Sequence, residues 1–142
     1  MYGLVAVAHA LYDLLKSQVP EVDWHYGVVD PASLDRFPAG YVTGLASGSG
    51  ERHREIPRGR ELRWYLAVWI GTRSESGSAD SEDAVLGYAD RVLDAVSRTP
   101  TLGLANVVSV IPEPGAISTA SVAPAAAYAE AELRFVATIM EQ

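Results

Sequence analysis

The sequence predicts an α+β fold: a mainly antiparallel sheet of four to five strands with two helices packed on one face, as a single domain over 1–142. Three observations predict it. Apolar residues recur at helical spacing in two stretches. Between and after those stretches they alternate with a period of two. The elements come in the order α-β-β-β-α-β-β, with strands in runs rather than alternating singly with helices. A length of 142 residues suits one domain, and 49 % hydrophobic with 20 % charged residues suits a folded core.

The first helix is expected over about residues 2–17. Leu4, Ala8, Leu11 and Leu15 make its apolar stripe, widened by Val5 and Tyr12. Lys16 sits in the last turn, where a cation suits the helix dipole, and Pro20 closes the element. Trp24, Tyr26 and Val28 alternate with His25, Gly27 and Val29 as a short strand ended by Asp30-Pro31. After a turn at Phe37–Gly40, Tyr41–Ala46 reads as a strand weakened by Gly44. A loop is expected from Ser47 to about Gly59.

Arg60–Thr72 is the clearest strand. Leu62, Trp64, Leu66, Val68 and Ile70 share one apolar face, while Arg63, Tyr65, Ala67 and Trp69 share a mixed one. Ser74–Ala79 reads as a second polar loop. Asp80 or Ser81 is the expected cap of the second helix, whose stripe is Val85, Tyr88, Ala89, Val92 and Val96. Thr99-Pro100 stops it. Asn106–Ile111 is a β-branched strand expected to end at Pro112 and Pro114. Ala126–Met140 closes the sheet, with Leu133, Phe135, Ala137 and Ile139 on one side. Tyr128, Glu130, Glu132, Arg134 and Thr138 lie on the other.

The composition excludes several kinds of chemistry. Zero Cys removes disulfides, thiol catalysis and Cys-ligated metals. A formal net charge of −7 is the wrong sign for a general nucleic-acid coat. No apolar run approaches the ~18 residues of a membrane helix. Met1–Tyr12 lacks the basic start and cleavage site of a signal peptide and is expected to be helix core. His9, His25 and His53 share no metal-ligand spacing. There is no G-x-S-x-G elbow, and the glycine-rich stretch at Gly44–Gly50 lacks the Lys-Ser/Thr of a phosphate loop. Asp80, Glu82 and Asp83 sit at a helix start, and Glu130 and Glu132 alternate on a strand; neither set demands acid/base catalysis. No catalytic residue, cofactor or metal ligand is predicted.

The most unusual segment is Glu51–Arg60, which carries Arg52, Arg54, Arg58 and Arg60 and is followed by Arg63. Guanidinium forks suit carboxylates and phosphates alike. Three readings fit: a solvated hairpin tip paired with Glu51 and Glu55, a contact to an acidic protein surface including a second copy, or contact with a DNA backbone. Trp69 lies on the second face of its strand, where either the chain's own loops or a partner subunit must cover it.

The succession of elements is informative as a whole. An amphipathic helix leads into Tyr26–Asp30, a Pro/Gly turn and a Tyr41-Val42 strand. The long strand Arg63–Ile70, the helix around Ala84–Val96, the break Thr99–Gly103 and the closing strand Ala129–Phe135 follow. This order resembles the tail terminator (tail completion, head-tail joining) proteins of long-tailed bacteriophages and prophages. The resemblance spans nearly the whole chain and rests on order and texture, not on a diagnostic motif.

The resemblance implies a non-enzymatic virion protein of the tail or neck, assembled in the host cytoplasm. Such subunits form a homohexameric ring that caps the tail tube, stops its polymerisation and receives the head connector. Tail tube protein, connector or stopper protein and further copies of the chain would be its partners, with no membrane and no cofactor. DNA would pass the ring without specific binding. Arg52, Arg54, Arg58, Arg60, Arg63, Trp69, Glu130 and Glu132 are the expected interface residues, with Asp80–Asp83 as a further acidic candidate. A head-closure subunit is the nearest alternative. A small-molecule-binding domain is another, with His25, Tyr26 and Trp69 as the first residues to inspect for a pocket.

Overall fold

The computed structural model describes residues 1–46, 52–56, 59–73, 78–122 and 128–142, with side chains at 1–46, 60–73, 79–113 and 128–142. The fold is mixed α+β. Helix α1 (Leu4–Gln18) leads into strand β1 (Asp23–Tyr26), a 3-10 turn at Pro31–Ser33 and strand β2 (Ala39–Thr43). Strands β3 (Arg52–Ile56) and β4 (Gly59–Arg73), helix α2 (Ser78–Arg98), and strands β5 (Val107–Val122) and β6 (Tyr128–Met140) follow. The main sheet runs β1-β2-β4-β6-β5, and β3 pairs with the start of β4. Every pair is antiparallel except β1 with β2. Without β3, the five strands on this path keep the predicted order α-β-β-β-α-β-β.

Both helices cover the same face. Register sets Leu66 opposite Phe135 and Val68 opposite Leu133, with Val68 also opposite Val42. These side chains are fully buried and join Leu11 and Leu15 of α1 and Val85, Val92 and Val96 of α2 in one core. Strict alternation along β6 makes Leu133, Phe135, Ala137 and Ile139 core residues, as the sequence pattern requires. Burying side chains of this size is worth about 1.5–3 kcal/mol each, which makes this face the main source of stability. Helix α1 packs on β1 and β2, and α2 on β4, β5 and β6. Arg91 of α2 pairs with Glu21 at 2.9 Å and donates to the Gln18 carbonyl at 3.3 Å, tying α2 to the end of α1.

Trp24 stays in the core because Gly40, its partner in β2, leaves room for the indole; a Cβ at Gly40 would lie 2.5 Å from its ring. The indole Nε1 donates to the Val19 carbonyl at 2.9 Å, which also satisfies the end of α1.

Several expected boundaries move. The loop expected over Ser47–Gly59 contains β3, which forms a hairpin with β4 from Arg52↔Arg63 to Ile56↔Gly59. Alternation fails as a signal there because Arg-His-Arg-Glu-Ile has no apolar period. Helix α2 begins at Ser78, so Asp80 and Ser81 lie inside its first turns rather than capping it. Ser81 is buried, and its carbonyl accepts the Thr72 hydroxyl at 2.7 Å. Strand β5 does not stop at Pro112 and Pro114. It is the outer strand of the sheet, where a missing N–H breaks no ladder, and the register shifts between Pro112 and Ile117. Val5, expected to widen the core stripe, is 70 % exposed. The stretches Ser47–Gly50, Ser74–Gly77 and Ala123–Ala127 lie outside the described residues.

Candidate functional site

The face of the sheet away from the helices holds a polar-aromatic cluster. Register sets Tyr41 and Glu132 on either side of Trp69, and Glu130 opposite Gly71. Tyr41 stacks on Trp69 with ring centroids 5.4 Å apart and planes 15° apart. The Trp69 indole donates to Glu130 Oε2 at 3.1 Å, and the Tyr128 hydroxyl donates to the same oxygen at 3.3 Å. Phe37 meets Tyr128 edge-on at 5.9 Å, and the Arg73 guanidinium lies 4.8 Å from the Phe37 ring centre. Further along, Arg134 lies over Tyr65 and 3.7 Å from Glu113.

Electrostatics here hold two phenols in the neutral form. Burial raises the Tyr128 pKa well above the ordinary tyrosine value, helped by the Glu130 charge and hydrogen bond. Burial likewise raises Tyr41, followed by repulsion from Glu132 and then Glu130. The cluster is a donor-acceptor network closed on itself: the carboxylate takes two hydrogen bonds, and the phenols keep their protons. It stiffens the face and offers no group poised for proton transfer.

Trp69 itself is only 4 % exposed. Of the two covers the sequence left open for it, the chain's own side chains supply one. Glu130 and Glu132 are half-buried beside it. The fold brings the mixed face of one strand and the polar face of the other together, with Trp69 and Glu130 bonded to each other and Glu132 beside them. Tyr41, Phe37 and Tyr128 complete that network and were not singled out. The signal was the spacing Trp69-x-Gly71: on one strand face, a glycine two residues on leaves room for the ring to lie flat.

The arginines divide. Register sets position 52 opposite Arg63 and position 54 opposite Glu61, while Arg60 lies opposite Glu55. Alternation thus puts positions 52, 54 and 63 on the aromatic face and Arg60 on the helix side. Arg60 and Arg63 are exposed. Arg58 lies outside the described residues, as do the side chains of Arg52 and Arg54.

A second feature was not foreseen. Between the start of α1 and the end of β2 runs an open groove of about 370 Å³, lined by Leu4, Val5, Ala8, Tyr26, Leu45 and Trp64 among others. Leu45 on its rim is 86 % exposed. Two polar atoms in its wall are already engaged: Trp64 Nε1 donates to the Gly44 carbonyl at 2.8 Å, and Thr43 Oγ1 accepts from Leu45 N at 3.0 Å. Such a wall suits apolar side chains of a protein better than a polar small molecule. His25, Tyr26 and Trp69 do not share a pocket. His25 pairs with Tyr41 on the aromatic face, 3.3 Å from the Asp23 carboxylate, while Tyr26 stacks on His9 at 4.1 Å on the helix side. Among the described residues no three His, Asp or Glu side chains are grouped to hold a metal ion, and no helix is long and apolar enough to cross a membrane.

No protein-family model matches the chain, and no curated protein matches it. Among solved structures it is similar to a chain from the virion of a native gene transfer agent (GTA) particle. The superposition covers 99 % of this chain and 100 % of that one, with a TM-score of 0.56 and 16 % identity. At that identity the likeness is one of fold.

Proposed function

We infer that this chain is a virion structural protein, a tail terminator whose subunits form a homohexameric ring. The ring caps the tail tube, stops its polymerisation and presents the docking surface for the head connector. The observation that carries this reading is the end-to-end likeness of fold to a chain of a gene transfer agent virion, over 99 % of this sequence. It agrees with the element order, which resembles that of tail terminators.

The site chemistry supports an assembly role. The buried polar network on the aromatic face is satisfied within the chain, and the groove is apolar. Neither presents a nucleophile or an acid/base pair. A ring needs two different patches per subunit that meet head to tail. The arginines of the β3–β4 hairpin, Arg52, Arg54, Arg58, Arg60 and Arg63, belong to one such patch. Tail tube and head connector proteins are the further partners, and the protein resides at the neck of the particle. The net charge of −7 suits a ring through which DNA passes without being held.

The test is genetic. Deleting the coding sequence from the element that carries it gives tails of uncontrolled length and heads without tails in electron micrographs. Restoring the gene restores joined particles of uniform tail length. Joined particles with uniform tails in the deletion overturn the reading. Uniform tails with leaking, unjoined heads transfer the protein to head closure.

A further inference from the structure

Both edges of the main sheet are open among the described residues: β5 pairs with β6 alone and β1 with β2 alone. An open strand edge presents unpaired N–H and C=O groups, which proteins blunt with proline and charge. The first half of β5 is blunted. Val110 N donates to the Pro100 carbonyl at 2.7 Å, away from β6, and Pro112, two residues on, has no N–H for that edge. The second half, Ile117–Val122, keeps its ladder to β6 and contains neither proline nor a charged residue.

The opposite edge is open at the same height. Asp23 N donates to the Pro38 carbonyl and Gly27 N to the Val42 carbonyl, so alternate residues of β1 bond towards β2. The backbone N–H and C=O groups of Trp24 and Tyr26 therefore face out of the sheet. The Trp24 carbonyl takes a long bond of 3.5 Å from the Tyr12 hydroxyl and keeps its second lone pair. Across the sheet the registers run straight. Ile117 is level with Tyr26 through Leu133, Val68 and Val42, and Ala120 with Asp23 through Glu130, Gly71 and Ala39. The blunted half of β5 is level with β3 instead: Val107 lines up with Ile139, Leu62 and position 53. Three antiparallel pairs and one parallel pair separate β5 from β1, so these two strands run in opposite senses.

We propose that β5 of one copy, over Ile117–Val122, adds to the outer edge of β1 in a second copy, so that the sheet continues from subunit to subunit. A copy set alongside in the same orientation brings its β1 to the unblunted half of β5 at the matching height. The two strands then meet antiparallel, in the more stable of the two ladders. The same orientation keeps the helices of both copies on one side, with α2 of one copy next to α1 of the other. The two edges differ, so the contact is heterologous and repeats head to tail until it closes. The inference rests on the ring reading and names the strands that meet in that ring.

Amide hydrogen exchange resolved by residue reads the contact without any substitution, with the mass followed by light scattering. In the dilute monomer the Trp24 and Tyr26 amides are expected to exchange fast, and in the assembled protein to be protected. The chain has no cysteine, so D23C and A120C report without background. Asp23 bonds towards β2, so on its outer side it takes a position where paired Cα atoms stand about 4.5 Å apart, within disulfide reach. Oxidation of the two folded variants, alone and mixed, is expected to give a dimer from the mixture only. A homodimer of either variant as strong as the mixed product overturns the head-to-tail pairing. Slow exchange of both amides already in the monomer shows that the chain covers its own edge and overturns the proposal. Assembly of the wild-type chain with both amides still fast overturns these strands as the contact and leaves the ring reading standing. No assembly at the highest concentration overturns both.

Discussion

The indole of Trp69 lies flat across Gly71, two residues further along the same strand face: a Cβ on Gly71 would stand 2.5 Å from Cη2 and 2.8 Å from Cζ2 of that ring. The same Cβ would approach the Tyr128 hydroxyl at 3.1 Å. Gly71→Ala therefore has to displace a ring held on its other side by Tyr41. The expected loss is about 1–3 kcal/mol of stability, the usual cost of overpacking. Urea denaturation followed by tryptophan fluorescence measures it. An unchanged midpoint would show that the ring moves aside freely.

Glu130 accepts from both Trp69 and Tyr128. Glu130→Ala leaves an indole N–H and a phenol without their partner, at an expected cost of about 1–3 kcal/mol. Glu130→Gln keeps one carbonyl oxygen, which can still accept from both donors without the charge, and loses less. If the alanine variant is as stable as the wild type, solvent satisfies those donors and the network does not hold the face.

The raised pKa values of Tyr41 and Tyr128 make a prediction with a definite sign. An unfolded tyrosine ionises near pH 10, whereas these two stay protonated in the fold. Above that pH the unfolded chain binds fewer protons, so stability falls as pH rises. The contribution is fully present below pH ~10 and disappears through the alkaline range. Ultraviolet titration of phenolate should show two of the seven tyrosines ionising last. Tyr128→Phe should remove one of them and flatten the alkaline loss of stability. Simultaneous ionisation of all seven in the native protein would contradict the arrangement.

Much of this architecture is legible in the sequence because burial there is one-sided. Along β6, alternation alone identifies Leu133, Phe135, Ala137 and Ile139, since water on one side and helices on the other enforce a period of two. Two features escape for different reasons. Strand β3 pairs with β4 through its ladder, and its residues Arg-His-Arg-Glu-Ile carry no apolar period for the sequence to show. Val5 sits round the helix from Val7, Leu11 and Leu15, so it faces the open groove beside Trp64 rather than the core. The aromatic face was half visible. The sequence puts Trp69 on the mixed face of its strand and Glu130 and Glu132 on the polar face of theirs, but the bond between Trp69 and Glu130 joins residues 61 apart in sequence.

Charge reversal in the hairpin separates folding from assembly. Arg60 is exposed near the start of β4, and Arg58 precedes it by two residues in the sequence; the variants are Arg58→Glu and Arg60→Glu. The expected outcome is an unchanged circular-dichroism spectrum and unfolding midpoint with a loss of higher-order assembly. In particles, the same variants should release tail length control and head joining. If both reversals leave tail length and head joining unchanged, the hairpin is a solvated tip and takes no part in the contact.

The most direct test of the ring itself is its mass. Light scattering of the purified chain over a wide concentration series, at low and high salt, should show a shift from monomer to one discrete species of six subunits. High salt should move that shift to higher concentration, since screening weakens the matched charges. A chain that remains monomeric at every concentration and salt, or that grows without a limiting mass, contradicts the account.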